Sequence, residues 1–162
     1  MQIRHPSALL VNAGAGVKAM INFCDHLTIS MWGNATGLPG LKERMLKIEE
    51  TLNGRLQFVQ DEEFGMISRF PAMMGHGMSP SMVLHIPALM LFDNMESIRE
   101  AMHQVGMCIE PFYMRREVLA PQMSVIGCGA FYIVSVENGT RHSLDECVSM
   151  VQHWALVLEQ RE

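Results

Sequence analysis

A chain of 162 residues, 49% apolar and 18% charged with a net charge of −5, is about one domain, and its core can bury roughly two thirds of the unfolded surface. Its 12 lysines and arginines are scattered, with only Arg115-Arg116 adjacent and no basic stripe, which excludes a nucleic-acid surface by charge and leaves an acidic substrate little to attract it. No apolar run approaches the ~20 residues of a membrane span, and Cys24, Cys108, Cys128 and Cys147 form no CxxC pair, so they read as buried thiols of a reducing compartment.

Residues 1–16 read as a mixed apolar lead with a turn at Asn12-Ala-Gly-Ala-Gly16. Arg4 and Lys18 with no acid before Asp25 also suit a mitochondrial transit segment, against which the glycine and strand-like content argues. Strands over 17–23 and 26–31 flank Cys24-Asp25 and read as an antiparallel pair within a larger sheet. After the turn-rich Trp32-Gly-Asn-Ala-Thr-Gly-Leu-Pro-Gly40, helical spacing of Leu41, Met45, Ile48 and Leu52 predicts an amphipathic helix over 41–52. Asn53-Gly54 would stop it. A strand over 56–60 and a polar turn at Asp61-Glu-Glu63 lead to residues 65–87.

That stretch reads GMISRFPAMMGHGMSPSMVLHIP. Gly75-His-Gly77 supplies a tight turn, and Ser81-Met-Val-Leu-His-Ile86 reads as a buried strand closed by Pro87, which has no N–H to continue a ladder. A turn of this kind can converge backbone N–H groups on an anion, and phosphate chemistry would add an arginine. Here Ser79 and Pro80 follow instead.

Beyond Pro87, Ala88 to Phe92 is apolar, and Asp93-Asn94 caps a helix over 95–104 with Met95, Ile98, Met102 and Val105 inward. Residues 107–112 form a strand, and 123–126 and 130–136 read as an antiparallel pair joined by Gly127-Cys-Gly129. Ser143-Leu-Asp-Glu146 is a capping box opening a last helix with Leu144, Val148, Val151, Ala155 and Leu158 as its apolar stripe. The 16 methionines show no regular MxM or MxxM repeat beside His or Cys, so they read as soft filler of a core or interface. His142 and His153 have no regular ligand spacing, and no metal site is expected.

Residues 65–87 resemble the signature stretch of the ATP:guanido phosphotransferases, the family of arginine and creatine kinases and of the bacterial protein-arginine kinase, G-Y-L-T-x-C-P-T/S-N-x-G-T-G-L-R-A-S-V-x-x-x-L-P. Gly65, Pro71, Gly75, Gly77, Ser81, His85 and Pro87 keep that frame without a gap. Asn22-Phe-Cys-Asp-His-Leu-Thr28 is similar to the family's N-E-E-D-H-L-R, with Asn22, Asp25, His26 and Leu27 retained. The functional groups depart from the pattern. The resemblance places Phe23 where the family has the carboxylate that deprotonates the guanidinium, Cys24 at its neighbouring acid and Thr28 at the following arginine. Phe70 stands at the reactive cysteine, Met73 at an asparagine and Ser79 at the phosphate-clamping arginine. Glu110 and Pro111 replace the arginine and first glycine of the R-G-x-x-G-E nucleotide loop, and Ile133 replaces the aspartate of V-Y-D-I-S. Phenylalanine cannot act as a general base, and phosphoryl transfer depends on positioned cations and metal around the phosphates.

The resemblance implies an α+β fold, an antiparallel sheet with helices packed on one side, like a truncated glutamine-synthetase or guanido-kinase catalytic domain. Residues 1–162 are then one domain resembling the later part of a guanido kinase, without its N-terminal helical domain. The expected function is that of a catalytically inactive pseudoenzyme serving as a structural or interaction subunit, with a protein partner or homo-oligomer. Two alternatives stand beside it: a regulatory module that binds nucleotide or phosphoarginine without turnover, and half of a split arginine kinase completed by another chain. Asp25, His26, Gly75, His76, Gly77 and His85 would line a vestigial cleft, with no cofactor and no nucleotide expected. An intracellular, cytoplasmic setting follows, a cytoskeletal or axonemal assembly or the mitochondrion being the other settings.

Overall fold

The structure, a computed structural model, describes residues 6–23, 25–34, 37–68, 74–92, 94–116, 125–127, 129–136 and 141–162, with backbone alone for 114–116 and 125–127. It divides into two compact units, Met1–Gly77 and Met78–Glu162.

In the first unit, β1 (Ala8–Asn12), β2 (Val17–Ile21) and β3 (Leu27–Met31) form an antiparallel meander in the order β1-β2-β3. Ala8 lies opposite Ile21, and Val17 opposite Met31. The expected pair is therefore present, and the apolar lead adds a third strand to it. Every residue of β1 is exposed. Its Leu9-Leu10-Val11 run lacks the alternation that marks a half-buried strand, so the sequence pattern did not show it. The turn after β1 is held by the Asn12 side chain, which accepts the Ala15 N–H at 3.1 Å. Gly16 closes it at φ +61, where a Cβ would lie 2.6 Å from the Trp32 carbonyl oxygen.

Helix α1 (Leu38–Leu56) is longer at both ends than expected. Pro39 falls in its first turn, where a missing N–H breaks no helical bond. At the other end Asn53-Gly54 does not stop the helix, because Asn53 satisfies the end instead. Its carbonyl accepts the Gln57 N–H at 3.1 Å, and its side chain accepts the Phe58 N–H at 2.9 Å. The chain turns at Gln57, φ +51, so the strand expected over 56–60 shrinks to β4 (Gln60–Asp61), paired with β5 (Gly65–Met66). Leu41, Met45, Ile48 and Leu52 are each half-buried, as the predicted stripe requires.

In the second unit β6 (Ser81–His85) and β7 (Met107–Pro111) flank β10 (Phe131–Val136) in an antiparallel sheet ordered β6-β10-β7. β6 is not buried on both sides. Ser81, Val83 and His85 are exposed while Met82 and Leu84 turn inward, because helices cover one face of this antiparallel sheet. Pro87 opens α2 (Pro87–Phe92), and the Asn94 side chain caps α3 (Met95–Gln104) by accepting the Glu96 N–H at 3.0 Å. α3 packs against β7, and α4 (Leu144–Glu159) against β6 and β10. The core between them is fully enclosed at Ile86, Met107, Ile109, Val134, Val151 and Cys147. The capping box of α4 is present in both directions, Ser143 N–H to the Glu146 carboxylate at 2.7 Å and Glu146 N–H to the Ser143 hydroxyl at 3.2 Å.

Of the strand expected over 123–126, residues 123 and 124 lie outside the described residues, and the described part does not pair with 130–136. β9 (Val125–Gly127) pairs with β8 (Met114–Arg116), while β10 takes β6 and β7 as neighbours. β6 and β7 lie along both edges of β10 over five residues each. Among the described residues the strands form two three-stranded and two two-stranded ladders, rather than one continuous sheet. The class is α+β with antiparallel sheets, as expected. Among the described residues no helix is long and apolar enough to cross a membrane.

Candidate functional site

The loop between β2 and β3 is a tight, internally bonded turn. Asn22 adopts φ +56, its N–H donates to the His26 carbonyl at 3.0 Å, and its side-chain amide donates to the Pro6 carbonyl at 3.0 Å. An asparagine tolerates this left-handed conformation better than a branched residue would. Asp25 ties the same turn, accepting the His26 N–H at 2.8 Å on one oxygen and the Ser68 hydroxyl at 2.7 Å on the other. Phe23 stands at the tip and is 53% exposed. Thr28 lies half-buried in β3 opposite Met20. Cys24 lies outside the described residues.

A second group is built on glycine. The Met66 N–H donates to the Gly75 carbonyl at 2.6 Å, and Gly65 bridges Gly75. Gly65 has φ +67, and a Cβ on it would meet the Gly75 carbonyl oxygen at 2.4 Å. Gly77, at φ +68, would set a Cβ 3.0 Å from the Met66 side chain. Only glycine combines those torsions with that closeness. His76, between them, is half-buried. Phe70, Pro71 and Met73 lie outside the described residues; Met74 is half-buried.

The remaining expected positions belong to the second unit. Ser79 is exposed in the segment before β6. His85, at the end of β6, stacks on Phe131 with ring centroids 4.5 Å apart and 24° between planes. Glu110 is exposed on β7 opposite Ile133. The structure thus brings Asn22, Asp25, His26 and Ser68 together in one unit, which also holds the glycine bridge, and sets Ser79, His85 and Glu110 in the other. Among the described residues no group of three His, Cys, Asp or Glu side chains is placed to hold a metal.

Two features escaped the sequence reading. Ser68 occupies the threonine position of the G-Y-L-T frame, so its hydroxyl was a visible signal, but its bond to Asp25 spans 43 residues. The aromatic group around Phe131 had no local signature, because its members come from three separate segments.

The profile of the ATP:guanido phosphotransferase C-terminal catalytic domain matches residues 1–124. The chain belongs to this family. The protein-arginine kinase of Staphylococcus saprophyticus is 34% identical over 112 residues, which are 68% of this chain and 33% of that protein. That of Staphylococcus epidermidis is 33% identical over 107 residues, 66% of this chain and 32% of that protein. The chain therefore spans about a third of the curated relatives it matches. Among solved structures, the duplicated taurocyamine kinase of Schistosoma mansoni with bound transition-state-analogue components superposes with a TM-score of 0.68 at 18% identity, over 94% of this chain and 20% of that one. Its substrate-free form gives 0.62 at 19% identity with the same coverage. At these identities the likeness is one of fold.

Proposed function

We propose that this chain is a guanido phosphotransferase relative that has lost phosphoryl transfer and serves as an interaction subunit, its two units together standing for one catalytic-domain portion. The observation that carries this reading is Phe23. It sits exposed at the tip of a turn whose other family residues, Asn22, Asp25 and His26, are all in place and bonded. The frame that would present a base is intact, and what it presents is a hydrocarbon ring. No proton can be taken from a guanidinium there.

The nucleotide side agrees. A magnesium-bound triphosphate needs cationic donors, and the positions assigned to them by the resemblance hold Thr28 in a strand, an exposed Ser79 and the exposed carboxylate of Glu110. These residues do not fit the group. Removing one oxyanion-type donor costs about 2.7–4 kcal/mol of barrier, so the loss of several leaves little of the rate.

A second reading, a regulatory module that holds a phosphorylated ligand without turnover, is favoured by the retained glycine bridge at Gly65, Gly75 and Gly77. Titration with ATP and with phosphoarginine, followed by calorimetry, separates the two. The decisive experiment for the first is transfer of labelled phosphate from ATP to arginine, creatine or an arginine-containing protein by the purified chain. No transfer is expected, and Ser79→Arg alone should restore none, because base and clamps act as a unit. The curated relatives are named as kinases, and turnover by this chain would overturn the proposal.

A further inference from the structure

The β1-β2-β3 sheet has two edges of different character. Each residue of β3 is half-buried, whereas β1 is exposed along its whole length, with Leu9, Leu10 and Val11 at 56%, 60% and 60%. Among the described residues β1 is paired on one side only, by β2. Edge strands of stable monomers are blunted by charge, by proline or by a bulge. Ala8-Leu9-Leu10-Val11-Asn12 has no charge and no proline, and its pairing with β2 runs from Ala8 opposite Ile21 to Asn12 opposite Val17 without skipping a residue. By contrast β7, an edge of the other three-stranded sheet, carries Glu110 and Pro111.

Charge narrows what can meet this edge. Residues 1–77 hold seven lysines and arginines and seven acids, a net charge of zero, while residues 78–162 hold five arginines and ten acids and account for the whole net −5. Two copies meeting through the second unit face like charge, whereas through the first they add none. The strand is also complementary to itself. In an antiparallel pair centred on Leu10, Leu9 faces Val11 of the second copy, Ala8 faces Asn12 and Leu10 faces its own counterpart. Alternate residues of an edge strand turn their N–H and C=O outward, and this register matches either alternate set with itself, so donors meet acceptors in both cases. The one charge in the neighbouring strand is Lys18, opposite Val11. The two β2 strands would lie three strand spacings apart, about 14 Å, which exceeds the ~8–10 Å screening length between charges.

We propose that β1 pairs antiparallel with β1 of a second copy of this chain about a two-fold axis at Leu10, joining two three-stranded sheets into one of six strands. The inference names the partner in the interaction reading above and rests on it. Five-residue strands bury less than the ~1,200 Å² of a standard interface, so the dimer should be reversible, with a Kd of about 10 μM. Sedimentation of the full chain from about 1 to about 100 μM should show monomer giving way to dimer and nothing larger, because a two-fold contact closes. Over that range amide exchange should slow at alternate residues of 8–12. Leu10→Lys sets two like charges directly opposite each other and should weaken the dimer by about fivefold to tenfold, as should Leu10→Glu. An equimolar mixture of the two variants should recover association to within about threefold of the parent, which also verifies that both fold. Leu91→Lys, at a residue 71% exposed on α2, is the control and should leave the dimer unchanged.

A chain that stays monomeric at the top of the range overturns the proposal, as does a dimer that tolerates Leu10→Lys or forms without slowing exchange in 8–12. So does a mixture of the charge variants that fails to recover, a dimer dispersed by Leu91→Lys, or growth beyond two copies. Labelled ATP and arginine in the same samples separate this inference from the reading beneath it. Phosphate transfer by the dimer defeats the loss of catalysis and leaves the strand pairing in place. An inactive monomer defeats only the pairing.

Discussion

Gly65→Ala should destabilise the first unit by about 2–4 kcal/mol. Its φ of +67 lies in the left-handed region, which costs an L-residue about 1–2 kcal/mol. The new Cβ would also stand 2.4 Å from the Gly75 carbonyl oxygen and 2.9 Å from its carbon. Both are backbone atoms and cannot swing away as a side-chain tip would. Relieving that clash means opening the Met66 N–H to Gly75 carbonyl bond, worth about 1 kcal/mol. Gly54→Ala is the matched control. Gly54 lies within α1, and a Cβ there meets nothing within 4 Å, so the same added methyl should stabilise by about 0.5–1 kcal/mol. At about 2–4 °C per kcal/mol for a chain of this size, melting should fall by roughly 4–16 °C in the first variant and rise slightly in the second. Hydrogen exchange of the Met66 amide locates the effect, since that proton should lose protection in Gly65→Ala and keep it in Gly54→Ala. A Gly65→Ala chain as stable as its parent, with Met66 still protected, would refute the claim that backbone closeness dictates this glycine.

Three further perturbations probe the second unit. Ile109→Ala, at a residue only 2% exposed on β7, should cost about 2–5 kcal/mol in denaturant unfolding. Ser143→Ala should cost about 1 kcal/mol by removing half of the capping box, seen as faster exchange in the first turn of α4. Backbone and side-chain hydrogen bonds from Ser143 hold the Glu146 carboxyl below the usual carboxylate range. That contribution is present above the ordinary carboxylate pKa and is lost as pH falls through the lowered folded value, so the parent should lose α4 protection in acid and Ser143→Ala should show a flatter profile. Burial, aided by the nearby Glu146 charge, pushes the Cys147 thiol up. Its contribution is complete below the unfolded thiol pKa and fades as pH rises through the folded one, and a thiol reagent at neutral pH should label Cys147 only at the rate of unfolding.

The helices were legible because their signals are local. Asn94 and the Ser143–Glu146 box act over three residues or fewer, and the α4 stripe returns every three or four positions. The strands were less so. β1 is exposed throughout and leaves no alternation to read, and the partners of β10, β6 and β7, come from distant parts of the sequence. The end of α1 was misplaced for a chemical reason. Asn53 reads as a stop, but its side chain and carbonyl satisfy groups beyond the helix, and so the turn slips to Gln57. In the candidate site the frame could be recognised from its motifs, while the Ser68–Asp25 bond and the rings around Phe131 exist only once distant segments meet.

The geometry also explains why a family frame is held in place independently of the side chains set on it. Gly65 and Gly77 are required by carbonyl and side-chain closeness, Gly16 by the Trp32 carbonyl, and Asn22 and Asp25 by the bonds of their own turn. Each is needed for folding whether or not a phosphate ever binds. Phe23, Ser79 and Glu110 are exposed, and the described structure asks nothing of them beyond the backbone. Substitutions at such positions usually shift stability by less than about 0.5 kcal/mol, so folding alone does not hold a catalytic group in place there. The match to the family signature is therefore evidence about the backbone. Evidence about the reaction rests on the exposed positions, and there the chain presents a phenyl ring, a serine hydroxyl and a carboxylate.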